Sequence, residues 1–113
     1  MFTECLEKEL ERLQTITQSI RRSGAIAPSH CWIEQYTVYR GRREYYYQRV
    51  ASDRPLLVQN QTSRILHLGK AGCQKHLDWV QRVERRDRLV MIEKRSALIQ
   101  HLLDLEKSDP IRP

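Results

Sequence analysis

The stretch CWIEQYTVYRGRREYYYQRV, residues 31–50, decides the fold. Two runs rich in β-branched and aromatic residues, 31–39 and 44–50, flank Arg40-Gly41-Arg42-Arg43. Such runs on either side of a glycine-bearing turn predict a β-hairpin. A two-residue turn on Gly41-Arg42 and a four-residue loop over 40–43 give the same register, with paired positions summing to 83. Tyr36 then faces Tyr47, Val38 faces Tyr45 and Glu34 faces Arg49. A loop of three or five residues would invert one strand relative to the other, because a one-residue slip flips every side chain. The clustering of aromatics predicts that Trp32, Tyr36, Val38, Tyr45 and Tyr47 form the buried side, with Glu34 and Arg49 paired toward one end. Gln35, Thr37, Tyr39, Tyr46 and Gln48 then line the exposed face.

Outward from the hairpin, residues 51–62 read as a loop, with Asp53-Arg54-Pro55 and Gln59-Asn60-Gln61-Thr62 as turn material. Residues 63–68 read as a third strand, so the β-unit covers 31–68. Gly69-Lys70-Ala71-Gly72 breaks it before a helix over 73–107, on the order of 50 Å long. Upstream, Leu6, Leu10, Leu13, Ile16 and Ile20 recur at helical spacing, which predicts an amphipathic helix over 3–23. The expected fold is therefore α+β: an N-terminal helix, a three-stranded antiparallel sheet and a long C-terminal helix of bundle character, in one domain over 1–113.

The last third of the long helix carries two apolar stripes. Leu89, Ile92, Ile99 and Leu103 form one; Met91, Leu98, Leu102 and Leu105 form the next. The first helix offers a single stripe and covers only one of these. The eight residues together predict a homodimer interface, with a helical partner protein as the alternative occupant.

The 113 residues are 40% hydrophobic and 30% charged, a folded composition that excludes a disordered chain. No apolar run reaches the roughly 18 residues of a membrane span, and the first residues alternate with acids instead of forming a signal-peptide core. The cytoplasm is the expected compartment. Cys5, Cys31 and Cys73 are too few and odd in number for a secreted disulfide scaffold, so reduced thiols are expected. The net charge is +6 and it is unevenly placed. Residues 24–75 hold eight Lys/Arg against three carboxylates, whereas 1–23 balance four against four. The positive field belongs to the β-unit, where it attracts phosphates or an acidic partner.

That distribution makes nucleic-acid contact the leading expectation. A two-stranded ribbon fits the major groove of duplex DNA, where arginine pairs with guanine, and glutamine or threonine reads other base edges. The candidate contacts are Arg40, Arg42, Arg43, Arg54 and Arg64, with Gln35, Thr37, Tyr39, Tyr46 and Gln48 on the expected exposed face. Lys70 joins them, because glycines 69 and 72 ahead of a helix start suit a phosphate group. The bland alternative is a solvated sheet with a soluble turn. RNA binding, with Tyr39 and Tyr46 stacking on bases, and a protein-interaction adaptor are competing functions. A zinc site from His30, Cys31, Cys73 and His76 requires the chain to bend at His30, since neighbouring strand residues point to opposite faces. No metal or cofactor is expected. His67, Cys73 and His76 lack a spaced acid to orient a base, so the chain reads as a non-enzyme.

The run Tyr45-Tyr46-Tyr47, followed by a polar stretch and His67-Leu68-Gly69-Lys70 before a helix, resembles a pattern in small, uncharacterised bacterial and cyanobacterial proteins. It is also similar to the three-stranded arm-type DNA-binding domain of tyrosine recombinases. The resemblance covers residues 32–76 and implies a sheet that enters a DNA groove. The 12-residue loop expected before the third strand is longer than that pattern, the terminal helices have no counterpart, and no recombinase catalytic residues are present. The resemblance implies DNA binding and nothing about catalysis; together with the charge distribution and the apolar stripes, the expected role is a dimeric DNA-binding regulator or accessory factor.

Overall fold

Residues 2–58 and 61–108 are described by the computed structural model. Its elements run α1 (Phe2–Ser23), β1 (Cys31–Arg40), β2 (Arg43–Val58), β3 (Gln61–Gly69) and α2 (Gln74–Ser108). The strands form one antiparallel sheet in the order β1-β2-β3. This is the α+β layout expected from the sequence. Contacts group the chain into two compact units, Ile26–Arg86 and Met1–Ala25 with Asp87–Pro113. Helix α2 therefore contributes its first turns to the sheet unit and the remainder to the helical unit.

In the sheet unit, β1 and β2 pair from Cys31↔Ser52 to Arg40↔Arg43, and every pair sums to 83. The predicted register holds along the whole hairpin. Gly41 sits in the turn at φ +63°, the left-handed region that a residue with a Cβ enters only at a cost.

The predicted faces hold toward the turn, where Gln35, Thr37, Tyr39 and Tyr46 are exposed and Tyr36, Val38, Tyr45 and Tyr47 half-buried, but they reverse toward the other end of the hairpin. The buried cluster consists of Ala27, Cys31, Val50, Leu56, Leu68 and Trp79, with Ile33, Leu66 and Val83 packed against it. Cys31, Ile33 and Val50 lie on the side opposite Trp32 and Tyr36, and Trp32 is 45% exposed. The physical reason is shape: Trp79 of α2 packs on compact aliphatic and thiol side chains, whereas tyrosine and tryptophan tolerate the wet side because their polar ends reach water. Gln48, expected on the exposed face, is only 9% exposed, and its amide donates to Gln35 Oε1 at 3.3 Å.

The predicted loop over 51–62 is also corrected. β2 continues to Val58 and β3 begins at Gln61, with an irregularity between Ala51 and Leu56 that absorbs Asp53, Arg54 and Pro55. Proline has no N–H for a ladder, so pairing breaks locally and resumes beyond it. Ser52 steadies the break: its hydroxyl donates to His30 O at 3.1 Å and accepts the Arg54 amide at 3.2 Å. Gln59 and Asn60, read as turn material, lie outside the described residues. The connector before β1 is held to α2 by Arg86, whose Nη1 donates to Pro28 O at 2.7 Å and Cys31 O at 2.6 Å.

In the helical unit, Leu13, Ile99 and Leu103 are buried together, with Leu6, Leu10 and Ile92 packed against them. Burying each large side chain contributes about 1.5–3 kcal/mol. Ile92, Ile99 and Leu103, expected at an interface between chains, are thus taken up by α1. Leu89 and Leu102 are half-buried, whereas Met91, Leu98 and Leu105 remain 72%, 60% and 53% exposed. No described helix is long and apolar enough to cross a membrane.

A Cβ placed on Gly41 meets nothing within 4 Å, so substitution there is penalised by backbone conformation alone. Gly41→Ala is expected to lower the unfolding free energy by about 1 kcal/mol in a urea titration, and Gly41→Asn by less, because asparagine tolerates the left-handed region.

Candidate nucleic-acid interface

Antiparallel partners share a side of the sheet, so the register assigns each residue a face. One side carries Trp32, Glu34, Tyr36, Val38 and Arg40 from β1, and Arg43, Tyr45, Tyr47 and Arg49 from β2. His67 and Ile65 of β3 join them opposite Arg49 and Ala51. None of these residues belongs to the buried cluster beneath the sheet. This open side is a connected polar-aromatic layer. The Trp32 indole donates to Glu34 Oε2 at 3.1 Å, and Arg49 Nε donates to Glu34 Oε1 at 2.8 Å. The indole N–H first, then Arg49, hold the Glu34 carboxyl below its ordinary pKa. Arg49 also lies 5.0 Å from the Tyr36 ring centroid. Tyr36 OH and His67 Nδ1 are 2.9 Å apart, and the Tyr36 and Tyr47 rings are 5.8 Å apart.

Toward the turn the sheet narrows. β3 ends with Gly69 opposite Gln48, so beyond that point the hairpin is a two-stranded ribbon. Its opposite side carries Thr37, Tyr39, Glu44 and Tyr46, all exposed. The Tyr46 hydroxyl donates to Glu44 Oε2 at 2.8 Å, which raises the tyrosine pKa by favouring its protonated form. At the tip Arg40 and Arg43 are direct cross-strand partners, with Arg42 in the turn between them. Like charges directly opposite destabilise a sheet, and only a cation–π contact of Arg40 on Tyr45, at 5.7 Å, offsets this. Three arginines therefore sit where folding stability does not call for them.

Of the other candidates, Arg54 and Arg64 are exposed, and Gln35 and Thr37 are exposed beside buried Gln48. Gln48 is withdrawn as a base-reading residue because its amide lies under the sheet. Lys70 is exposed, but the backbone amides around it are already used. Cys73 N–H donates to Lys70 O at 3.1 Å, and Gly72 N–H donates to His76 Nδ1 at 3.0 Å. The expected phosphate cradle is thus partly closed by its own helix cap.

The Cys31 thiol donates to Pro28 O and the Cys73 thiol to Leu68 O. Among the described residues no three His, Cys, Asp or Glu side chains are grouped to hold a metal ion. Exposed Trp32 and His67 and half-buried Tyr36 and Tyr47 were missed as residues of the open side. The signal that could have found them is the charged pair Glu34 and Arg49, which a buried face would not have accommodated.

The helical unit offers a second feature, a cleft of about 460 Å³ with Leu13, Ile16, Met91 and Ile92 as floor and Arg12, Arg88 and Arg95 at its rim. Glu9 bridges two of these arginines, at 2.6 Å to Arg12 Nη2 and 3.1 Å to Arg95 Nε.

No family model matches the chain, and neither the curated proteins nor the solved structures contain a match.

The hydrogen bond from Arg12, reinforced by Arg95, lowers the Glu9 pKa from 4.5 to about 2. A depressed carboxylate pKa adds stability that is present above the unfolded value and lost as pH falls through the folded one. Thermal stability should therefore drop between pH 4.5 and about 2, and Glu9→Gln should reduce that drop. Melting curves of both proteins across this window check it, with an unchanged pH profile counting against the bridge.

Proposed function

We propose that this protein binds nucleic acid through the arginine tip of the β1–β2 hairpin. The observation that carries the reading is the directly opposed pair Arg40 and Arg43 with Arg42 between them, on a two-stranded ribbon that extends beyond the end of β3. A ribbon of that width enters the major groove of duplex DNA, and guanidinium groups make bidentate contacts to phosphate or guanine. Thr37 and Tyr39 flank the arginines on the far side, exposed toward sugar or base edges, beside Tyr46, whose hydroxyl is held by Glu44. The carboxylate among the aromatics of the open side, Glu34, is paired with Arg49. A DNA-binding regulator or accessory factor is the role that fits, with no catalytic step assigned to the chain.

Two copies per assembly fit the same reading. Met91 and Leu105 are equidistant in sequence from Leu98, at seven residues on either side, and all three are exposed on α2. An antiparallel second copy centred on Leu98 therefore matches Leu98 to its own equivalent and Met91 to Leu105. That is the self-complementarity a two-fold interface requires. A two-fold assembly carries two arginine tips, as paired half-sites on DNA require.

Replacing Arg40, Arg42 and Arg43 with alanine is expected to weaken binding to labelled duplex DNA strongly while leaving helicity unchanged, because exposed turn arginines contribute little to folding. Each lost phosphate contact flattens the slope of log affinity against log salt by about one unit. Equal affinity and equal slope in the triple variant remove the tip from the interface. For the assembly, light scattering should report a dimer at micromolar concentration, and Leu98→Asp a folded monomer. A wild-type monomer excludes the two-fold form and leaves the arginine tip standing.

A further inference from the structure

The ribbon and the open side differ in what they can reach. Beyond Gln48 the hairpin has two strands, but Trp32, Arg49, Ile65 and His67 lie where β3 makes it three. Contact at the tip engages the two-stranded ribbon and not this three-stranded part of the sheet. A duplex held at the tip leaves this broader region without a partner. Yet the region exposes an indole and an isoleucine on a surface already supplied with a cation: Trp32 is 45% exposed and Ile65 40%.

We infer that the open side of the sheet is a stacking platform for the unpaired bases of a single-stranded nucleic acid, whose phosphates run to the arginine tip. The inference rests on the nucleic-acid reading above and names the form of the ligand. Four features carry it. Trp32 and the Tyr36–Tyr47 pair supply flat apolar surfaces, and rings accept any base because every base has a π-face. Their polar ends are already satisfied: the Trp32 N–H by Glu34 and the Tyr36 hydroxyl by His67. Covering the Trp32 and Tyr36 rings therefore strands no donor, which removes the usual penalty of burying a tryptophan or tyrosine. Arg49 is pinned between Glu34 and the Tyr36 ring, so its guanidinium plane is held at the platform and adds a second kind of stacking surface. Arg40 and Arg43 lie on this same side of the hairpin, continuing the platform into positive charge. Double-stranded nucleic acid hides its base faces and offers this platform nothing to stack on.

The test uses oligothymidylate and oligouridylate of about 12 nucleotides and a duplex of equal length, a size suited to one small binding surface. Binding is followed by anisotropy of a labelled strand and, separately, by tryptophan fluorescence. Trp32 is the reporter, since Trp79 is buried on the other side of the sheet. Either single strand should bind more tightly than the duplex and quench the fluorescence; the tighter of the two identifies the sugar recognised. Trp32→Leu should weaken single-strand binding about tenfold without changing the salt slope, and Trp32→Phe should restore most of the loss. Unchanged helicity and melting temperature in both variants confirm that they fold. Salt-dependent binding with no quenching, no preference for single strands and no loss in Trp32→Leu overturns the platform and leaves the arginine tip intact. No binding to any of the three probes overturns both, and points the aromatic side toward a protein partner instead.

Discussion

Val50 is fully buried in the sheet, and the packing of Trp79 in the same cluster as Val50, Cys31 and Leu68 determines which side of the hairpin meets water. Every later property of the sheet follows from that choice. Once Trp79 occupies one side, the period-two alternation of the strands sends Trp32, Tyr36, Tyr47 and Arg49 to the other, together with Arg40 and Arg43. Arg86 fixes the same arrangement from the edge. By donating to the carbonyls of Pro28 and Cys31, it ties the entry to β1 to the helix that carries Trp79. These charge-assisted bonds add to the Cys31 thiol, which also donates to the Pro28 carbonyl.

The order of elements was legible in the sequence because it depends on local signals: apolar periodicity in the helices, β-branched and aromatic runs in the strands, and Gly41 at the turn. The register was legible for the same reason, since the turn fixes it. The face was not. Hydrophobicity ranks tyrosine and tryptophan with core residues, but burial here is decided by what a single indole from α2 can pack against, a tertiary fact. Cys31, Ile33 and Val50 present a smooth surface, whereas Tyr36 and Tyr47 would have carried two hydroxyls into it. The strand extension through Pro55 was equally hidden, because the residues that break pairing there read as a loop until the ladder is seen to resume at Leu56↔Ser63.

The candidate site was half legible. The arginines at the tip are visible in the sequence as charge, and their position on a two-stranded ribbon agrees with the expectation. The aromatic layer behind them was hidden because Trp32 and the tyrosines were expected in the core, whereas Trp32 is exposed and Tyr36, Tyr45 and Tyr47 are half-buried. Its own composition held the clue: Glu34 and Arg49 face each other across the strands, and a charged pair marks the wet side of a sheet more reliably than a tyrosine marks the dry one.

The helical unit shows the complementary case, in which an apolar count overstates what a single chain leaves open. Eight large side chains between Leu89 and Leu105 suggested one broad interface, but α1 takes Ile92, Ile99 and Leu103 for itself. The remainder is a narrow line of Met91, Leu98 and Leu105 at heptad spacing, with Leu102 half-buried beside it. A line one residue wide is too little for a globular partner's core but matches the seam of a second helix, where each side chain fits a gap between four neighbours. Charge does not oppose such pairing, because the stretch 76–113 carries eight basic residues against seven acidic ones. The positive excess is confined to the sheet unit, so the proposed association through α2 and the proposed contact with phosphate at the hairpin would place no conflicting demand on the same residues.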